Sequence, residues 1–251
     1  MIRIARPGGL LEPLATFFAA TALASGLYWL GQVVPLVQKN LHGAIAVIFL
    51  YAPALAARWS TRPFDYRAAG LRLDPLPLNL KVTGLAMALT WPIFFAAFLG
   101  FYGYVCRAGA PALVKYWAET LAPMCSHWLG LHGVRWRLPP DFLWLGLSQI
   151  VVVAVPEELF FRGYLLGRLE ERWPSRHKLL GAAVGWPLLV SSALFAVGHV
   201  LVDFDLQRLA VFFPALAFGW MRARTGSIAA GALFHALCNL LSEVLHTSFF
   251  S

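Results

Sequence analysis

Apolar residues run through this chain in long blocks, separated by short stretches where Arg, Lys, Pro and Gly collect. The blocks are Leu14 to Val37, Leu41 to Ala57, Val82 to Val105, Phe142 to Leu169, Leu179 to Val200, Leu206 to Met221 and Ser227 to about His246. A helix needs about 20 predominantly apolar residues to cross a bilayer, and the second block sits at the lower limit. The fourth block is apolar to Val155, then turns amphipathic through Pro156, Glu157 and Glu158. The pattern predicts an all-α fold, a polytopic membrane bundle of about seven transmembrane helices. No internal repeat, low-complexity tract or soluble domain interrupts it. The longest non-spanning stretch, Arg107 to Asp141, holds Tyr116, Trp117, Trp128 and Trp136, as an interfacial segment at head-group level does. The expected organisation is one membrane domain. Residues 1–141 supply the N-terminal helices and the interfacial segment, and residues 142–251 supply the helices that carry chemistry.

Composition strengthens the membrane reading. Of the 251 residues, 59% are hydrophobic and 13% charged, against about 45–50% and about 25% in soluble domains. The net charge of +8 does not point to nucleic acid, because the basic residues lie in short loops between apolar blocks, where they meet anionic head groups and fix topology. Three cysteines, Cys106, Cys125 and Cys238, with no CxxC pair, argue against a disulfide framework and a Cys-rich zinc site. The first block lacks a small-x-small cleavage site and is expected to be retained.

The basic residues divide by side. With the N-terminus inside, Arg3, Arg6, Arg58, Arg62, Arg67, Arg72, Lys81, Arg162, Arg168, Arg172, Arg176, Lys178, Arg222 and Arg224 face inward, and Lys39, Arg107, Lys115, Arg135, Arg137 and Arg208 face outward. The imbalance predicts seven spans with the N-terminus inside and the C-terminus outside.

Charged groups in hydrocarbon are costly and usually face a cavity where they act. Three groups qualify. In Glu157-Glu158-x-x-x-Arg162, Glu158 and Arg162 stand at i, i+4 and can pair, while Glu157 has no local partner. His199 ends the fifth block, with Asp203 and Asp205 close behind, either to orient its ring or to form a solvated turn. His235 and Asn239 share one face of the last block. Each group alone also has a bland explanation: a helix end, a hydrogen-bonded core histidine, a polar helix contact. Together they supply what amide hydrolysis requires, a base to activate water and donors to hold an oxyanion. The expected product of the fold is therefore an intramembrane polar cavity.

The stretch from Gln149 to Leu241 resembles the CPBP family of intramembrane proteases, which includes the type II CAAX prenyl endopeptidases. The resemblance rests on Glu157-Glu158-Leu159-Phe160-Phe161-Arg162-Gly163-Tyr164, Phe195-Ala196-Val197-Gly198-His199, Gly219, Thr225-Gly226-Ser227-Ile228 and His235-Ala236-Leu237-Cys238-Asn239. It implies Glu157 as general base, His199 as its partner in holding the water, His235 and Asn239 as oxyanion donors, and Glu158 with Arg162 as a supporting ion pair. It also implies a glutamic-type mechanism without a cofactor. The alternative is zinc held by Glu157, His199 and His235, although there is no HExxH and Asn is a poor zinc ligand.

Depth sets a condition on this site. A span that began at Leu179 would carry His199 about 30 Å along its axis, too far to meet Glu157 on the inner half. A span that begins at Trp186-Pro187 puts His199 roughly 18 Å in, and the turn from Gly198 to Asp205 then lies inside the protein, lining a water-filled cavity. The competing readings are a proton-coupled transporter or channel, which should show inverted repeats, and an inactive relative serving as a scaffold or immunity factor. The expected partners are the lipid bilayer and a membrane-anchored protein or peptide, with a C-terminal sorting signal or short peptide precursor favoured over a prenylated tail. The expected location is a bacterial or archaeal cytoplasmic membrane.

Overall fold

The computed structural model describes residues 9–58, 63–106 and 123–250. Arg3, Arg6, Arg62, Arg107, Lys115, Tyr116 and Trp117 lie outside the described residues. The elements in chain order are α1 (Leu11–Gly31), α2 (Pro35–Ala57), α3 (Leu76–Val105), α4 (Phe142–Arg172), β1 (His177–Leu179), β2 (Ala182–Val184), α5 (Trp186–Asp203), a 3₁₀ turn (Leu206–Val211), α6 (Phe212–Thr225) and α7 (Ala229–Phe249).

Helices α1 to α5 are each long and apolar enough to cross a membrane. Helices α6 and α7 take the sixth and seventh apolar blocks. With 14 residues, α6 rises only about 21 Å, short of the hydrocarbon thickness. Leu89, Ile93, Leu143, Trp144 and Phe213 are mostly exposed, a surface suited to acyl chains rather than water.

Prolines and glycines set the breaks. The first block was expected to run to Val37, but α1 stops at Gly31, because Pro35 forces Val34 into extended geometry and restarts the chain as α2. The fifth block does not start a span at Leu179. Leu180 and Gly181 both adopt positive φ and close an antiparallel hairpin with Leu179 opposite Ala182, as a two-residue turn requires. Helix α5 then starts at Trp186, with Pro187 in its first turn, where a missing N–H is harmless. The turn expected from Gly198 is not there: α5 stays helical through His199 to Asp203 and ends at Phe204, whose φ is 59°.

Helix α4 is not uniform. Gln149–Ala154 and Leu159–Leu165 are π-helical, and a short α-helical piece, Val155–Glu158, lies between them. Pro156 gives no backbone N–H to the ladder, and π turns are frequent at functional sites. The two acidic residues therefore stand between two widened turns.

The chain forms two compact units. The first comprises Met1–Thr83 and Ser148–Ala236. Its core packs Phe17, Phe49, Phe160, Phe161, Tyr164 and Phe195 from α1, α2, α4 and α5. Tyr164 donates to Glu12 Oε1 at 2.7 Å, and Arg168 Nε lies 3.4 Å from Glu12 Oε2, tying the start of α1 to α4. Gly163 belongs where it is because a Cβ there would come within 2.8 Å of the Ala69 carbonyl oxygen.

The second unit comprises Gly84–Leu147 and Leu237–Ser251. It is held by rings: Trp128 stacks on Tyr102 and Phe249 at 5.5 Å each, and Phe98 meets Tyr102, Trp128 and Phe249. Leu129 N–H donates to the Phe249 carbonyl and Arg135 N–H to that of Ser248. Trp128 is thus packed within this unit, while Trp136 stays exposed. Cys106 and Cys125 form a disulfide. This corrects the expectation drawn from the odd cysteine count, since spacing alone does not show which two of three thiols meet.

Candidate active site

Within the first unit, α4, α5 and α7 bring five of the polar residues named above to one place. Glu157 Oε2 lies 4.0 Å from His199 Nε2 and 3.9 Å from His235 Nε2. On its other edge, His235 Nδ1 lies 3.4 Å from Glu158 Oε1. Glu158 Oε2 is 3.3 Å from Arg162 Nε. A chain of charge and imidazole therefore runs from His199 through Glu157, His235 and Glu158 to Arg162. The carboxylate and imidazole atoms in it meet as electrostatic neighbours rather than as aligned hydrogen bonds, so Glu157 Oε2, both Glu158 oxygens and His235 Nδ1 keep unused capacity.

Burial grades along the chain. The His199 side chain is 26% exposed, that of Glu157 14% and that of His235 9%, while Glu158 and Arg162 are sealed at 0% and 1%. The open end thus holds Glu157 and His199, and the closed end holds the ion pair.

The His199 ring is fixed by its own helix. Nδ1 is 2.9 Å from the Phe195 carbonyl, and since a carbonyl only accepts, Nδ1 carries the hydrogen. In the neutral ring Nε2 then presents a lone pair towards Glu157. Asp203 does not orient this ring: it pairs with Arg208 at 2.9 Å, and the Asp205 carboxylate caps the following turn through Gln207 N–H. Of the two roles left open for these aspartates, the structure supports the turn.

Aromatic faces hold the rest. The Arg162 guanidinium lies 4.2 Å from the Phe195 ring centre and 5.2 Å from that of Phe218, and Nη2 donates to the Ala215 carbonyl. Phe218 also stacks on His235 with ring centres 4.9 Å apart. Arg162 is therefore buried in the site and does not belong among the loop charges that face inward. Asn239 follows His235 by one turn of α7 and falls in the second unit.

Phe195, Phe218 and Gly231 escaped the sequence as site residues. A Cβ on Gly231 would come 3.1 Å from Glu158 Oε2, so the glycine makes room for the buried carboxylate. Its signal was available, because Gly231 stands four residues before His235 on the same helix face. Phe195 stands four residues before His199 in a motif that carries the resemblance, but the motif does not show its place beside Arg162, and Phe218 gave no signal among the 19 phenylalanines in the chain.

The spacing bears on what the site can hold. Tetrahedral zinc with bonds of about 2.0–2.2 Å keeps its ligand atoms about 3.4 Å apart, and the two distances from Glu157 to the imidazoles are longer. Among the described residues, no three His, Cys, Asp or Glu side chains are arranged to hold a metal ion. Two acceptors gripping the two hydrogens of one water at about 2.8 Å stand about 4.4 Å apart, close to the Glu157–His199 separation.

Compared with known proteins, residues 139–241 match the sequence model of the family described as Type II CAAX prenyl endopeptidase Rce1-like. No curated protein and no solved structure matches the chain. The matched stretch contains Glu157, Glu158, Arg162, His199, His235 and Asn239. Residues 139–241, about two fifths of the chain, are thus similar to the Rce1-like type II CAAX prenyl endopeptidases, and this similarity together with the long apolar helices supports an intramembrane protease of the CPBP type.

Proposed function

We propose that this CAAX-type endopeptidase hydrolyses its substrate by a water held between Glu157 and His199, with His235 and Asn239 receiving the oxyanion. The observation that carries the proposal is the pair of approaches at Glu157 Oε2, 4.0 Å from His199 Nε2 and 3.9 Å from His235 Nε2. A carboxylate and an imidazole lone pair are both acceptors. One water can donate a hydrogen to each and turn its own lone pair towards a scissile carbonyl. As the water attacks, Glu157 takes its proton and later hands a proton to the leaving amine. His235, with its proton on Nε2, donates to the carbonyl oxygen as that oxygen gains charge. Glu158 lies against Nδ1 of the same ring, the Phe218 ring stacked on His235 fixes the plane of the imidazole, and Arg162 keeps Glu158 compensated. Asn239 joins as second donor on helix register alone, at i+4 from His235. In this scheme no metal takes part.

A CAAX-type protease acts on a membrane-associated protein or peptide. We assign the substrate to the class of C-terminal sorting signals or short peptide precursors. We place the protein in the cytoplasmic membrane of a bacterium or archaeon, with its N-terminus on the inner side. The Cys106–Cys125 disulfide supports that orientation. It follows the C-terminal end of α3, which the basic-residue pattern assigns to the outer, oxidising side.

The test is cleavage of candidate membrane peptides in detergent by wild type, Glu157→Ala and His199→Ala, each with and without chelator. The mechanism predicts loss in both variants and activity in wild type that resists chelator. Activity surviving in Glu157→Ala would remove the assigned base, and chelator inhibition reversed by zinc would replace the scheme with a metal one.

A further inference from the structure

The first unit contains a second concavity that the proposed chemistry does not use. It has a volume of about 390 Å³, within the range of small-molecule sites. Its inner wall is Ile150 and Val155 of α4 with Leu233 of α7, and its outer wall is Leu73, Leu76 and Leu80, which are 70%, 49% and 53% exposed. The cavity is thus apolar and opens on the side where the start of α3 faces its surroundings.

Two polar side chains line it. Arg72 shares one carboxylate, Asp74, with Arg67, at 3.6 and 3.7 Å, so this loop keeps an excess positive charge. Arg222 reaches the same turn, where its Nη2 donates to the Ala68 carbonyl. The turns here are shaped around these guanidinium groups. A Cβ on Gly70 would come 2.8 Å from Arg222 Nε, and one on Gly226 would come 2.9 Å from Arg72 Nη2. Asn79 is 2% exposed. Its amide donates to the Leu73 carbonyl at 2.8 Å, which fixes its orientation, and its Oδ1 is buried with no partner. The cavity therefore offers an apolar slot with a cation beside it.

We propose that this cavity holds an acyl chain of an anionic phospholipid. Its phosphate meets Arg72, whose side chain is partly exposed beside the slot. Charge complementarity favours this occupant, because one carboxylate between Arg67 and Arg72 leaves a cation for the phosphate. The apolar outer wall also opens where a lipid can enter sideways. The site is independent of the Glu157 chemistry, so failure of either proposal leaves the other standing.

The experiment places the full chain in nanodiscs that mix labelled phosphatidylglycerol and phosphatidylcholine, extracts it, and counts retained lipid by native mass spectrometry. The expected result is preferential retention of phosphatidylglycerol, reduced about fivefold by Arg72→Gln and also reduced by Leu76→Trp, which fills the slot without changing charge. Arg208→Gln, outside the cavity, leaves retention unchanged. Equal retention of the two lipids by wild type overturns the proposal, as does undiminished retention in Leu76→Trp. Displacement of the lipid by an apolar peptide with a free carboxylate, but not by the same peptide amidated, would reassign the cavity to peptide.

Discussion

The two compact units solve the problem of a buried interior in opposite ways. In the first, the centre holds two carboxylates, two imidazoles and a guanidinium, with Glu158 and Arg162 sealed from solvent and several polar atoms left without a hydrogen bond. In the second, the centre is a stack of Phe98, Tyr102, Trp128 and Phe249 beside a disulfide. Rings and a covalent bond hold a shape at little electrostatic cost. A polar chain in low dielectric is expensive to assemble and reacts strongly to any change in it. The difference teaches where chemistry and where stability should respond to mutation.

The largest effect should come from the polar unit. Glu157→Gln keeps size and removes the base, and cleavage of a membrane peptide should fall about 10²- to 10⁴-fold with the thermal midpoint in detergent nearly unchanged. Arg162→Leu should act through stability instead. It leaves the sealed Glu158 carboxylate uncompensated, and a loss of about 3–5 kcal/mol is expected, seen as a large drop in thermal midpoint. The aromatic unit should answer differently. Cys106→Ser opens a bridge across 19 positions and should cost about 2–4 kcal/mol while the rate of cleavage by folded protein stays near that of wild type. Gly231→Ala is the mildest. The added methyl crowds Glu158 Oε2 and should cost about 1–3 kcal/mol, with a modest loss of rate. If Cys106→Ser lowers the rate of folded protein as much as Glu157→Gln does, the separation between the two units is wrong.

Much of the polar chain was legible in the sequence because charge in an apolar block is rare. Glu157, Glu158, Arg162, His199 and His235 each stood out against hydrocarbon, and the Trp186-Pro187 start of α5 followed from the need for His199 to reach Glu157. Other features were hidden by their ordinariness. Phe195 and Phe218 line Arg162 with side chains found throughout the chain. The π turns around Glu157 and Glu158 leave no mark in hydrophobic periodicity, because hydrogen-bond register is a property of the backbone. The role of Asp203 stayed open between His199 and a turn because sequence proximity does not show where a side chain goes: its carboxylate pairs with Arg208. The Cys106–Cys125 pairing depended on a contact across the chain that spacing does not show.

The central claim is that a water, rather than a metal, sits at the open end of the polar chain. An experimental structure at a resolution that shows ordered solvent tests it most directly. It should reveal one water at about 2.8 Å from both the Glu157 carboxylate and His199 Nε2. Density bonded at about 2.1 Å to Glu157, His199 and His235 together would contradict it.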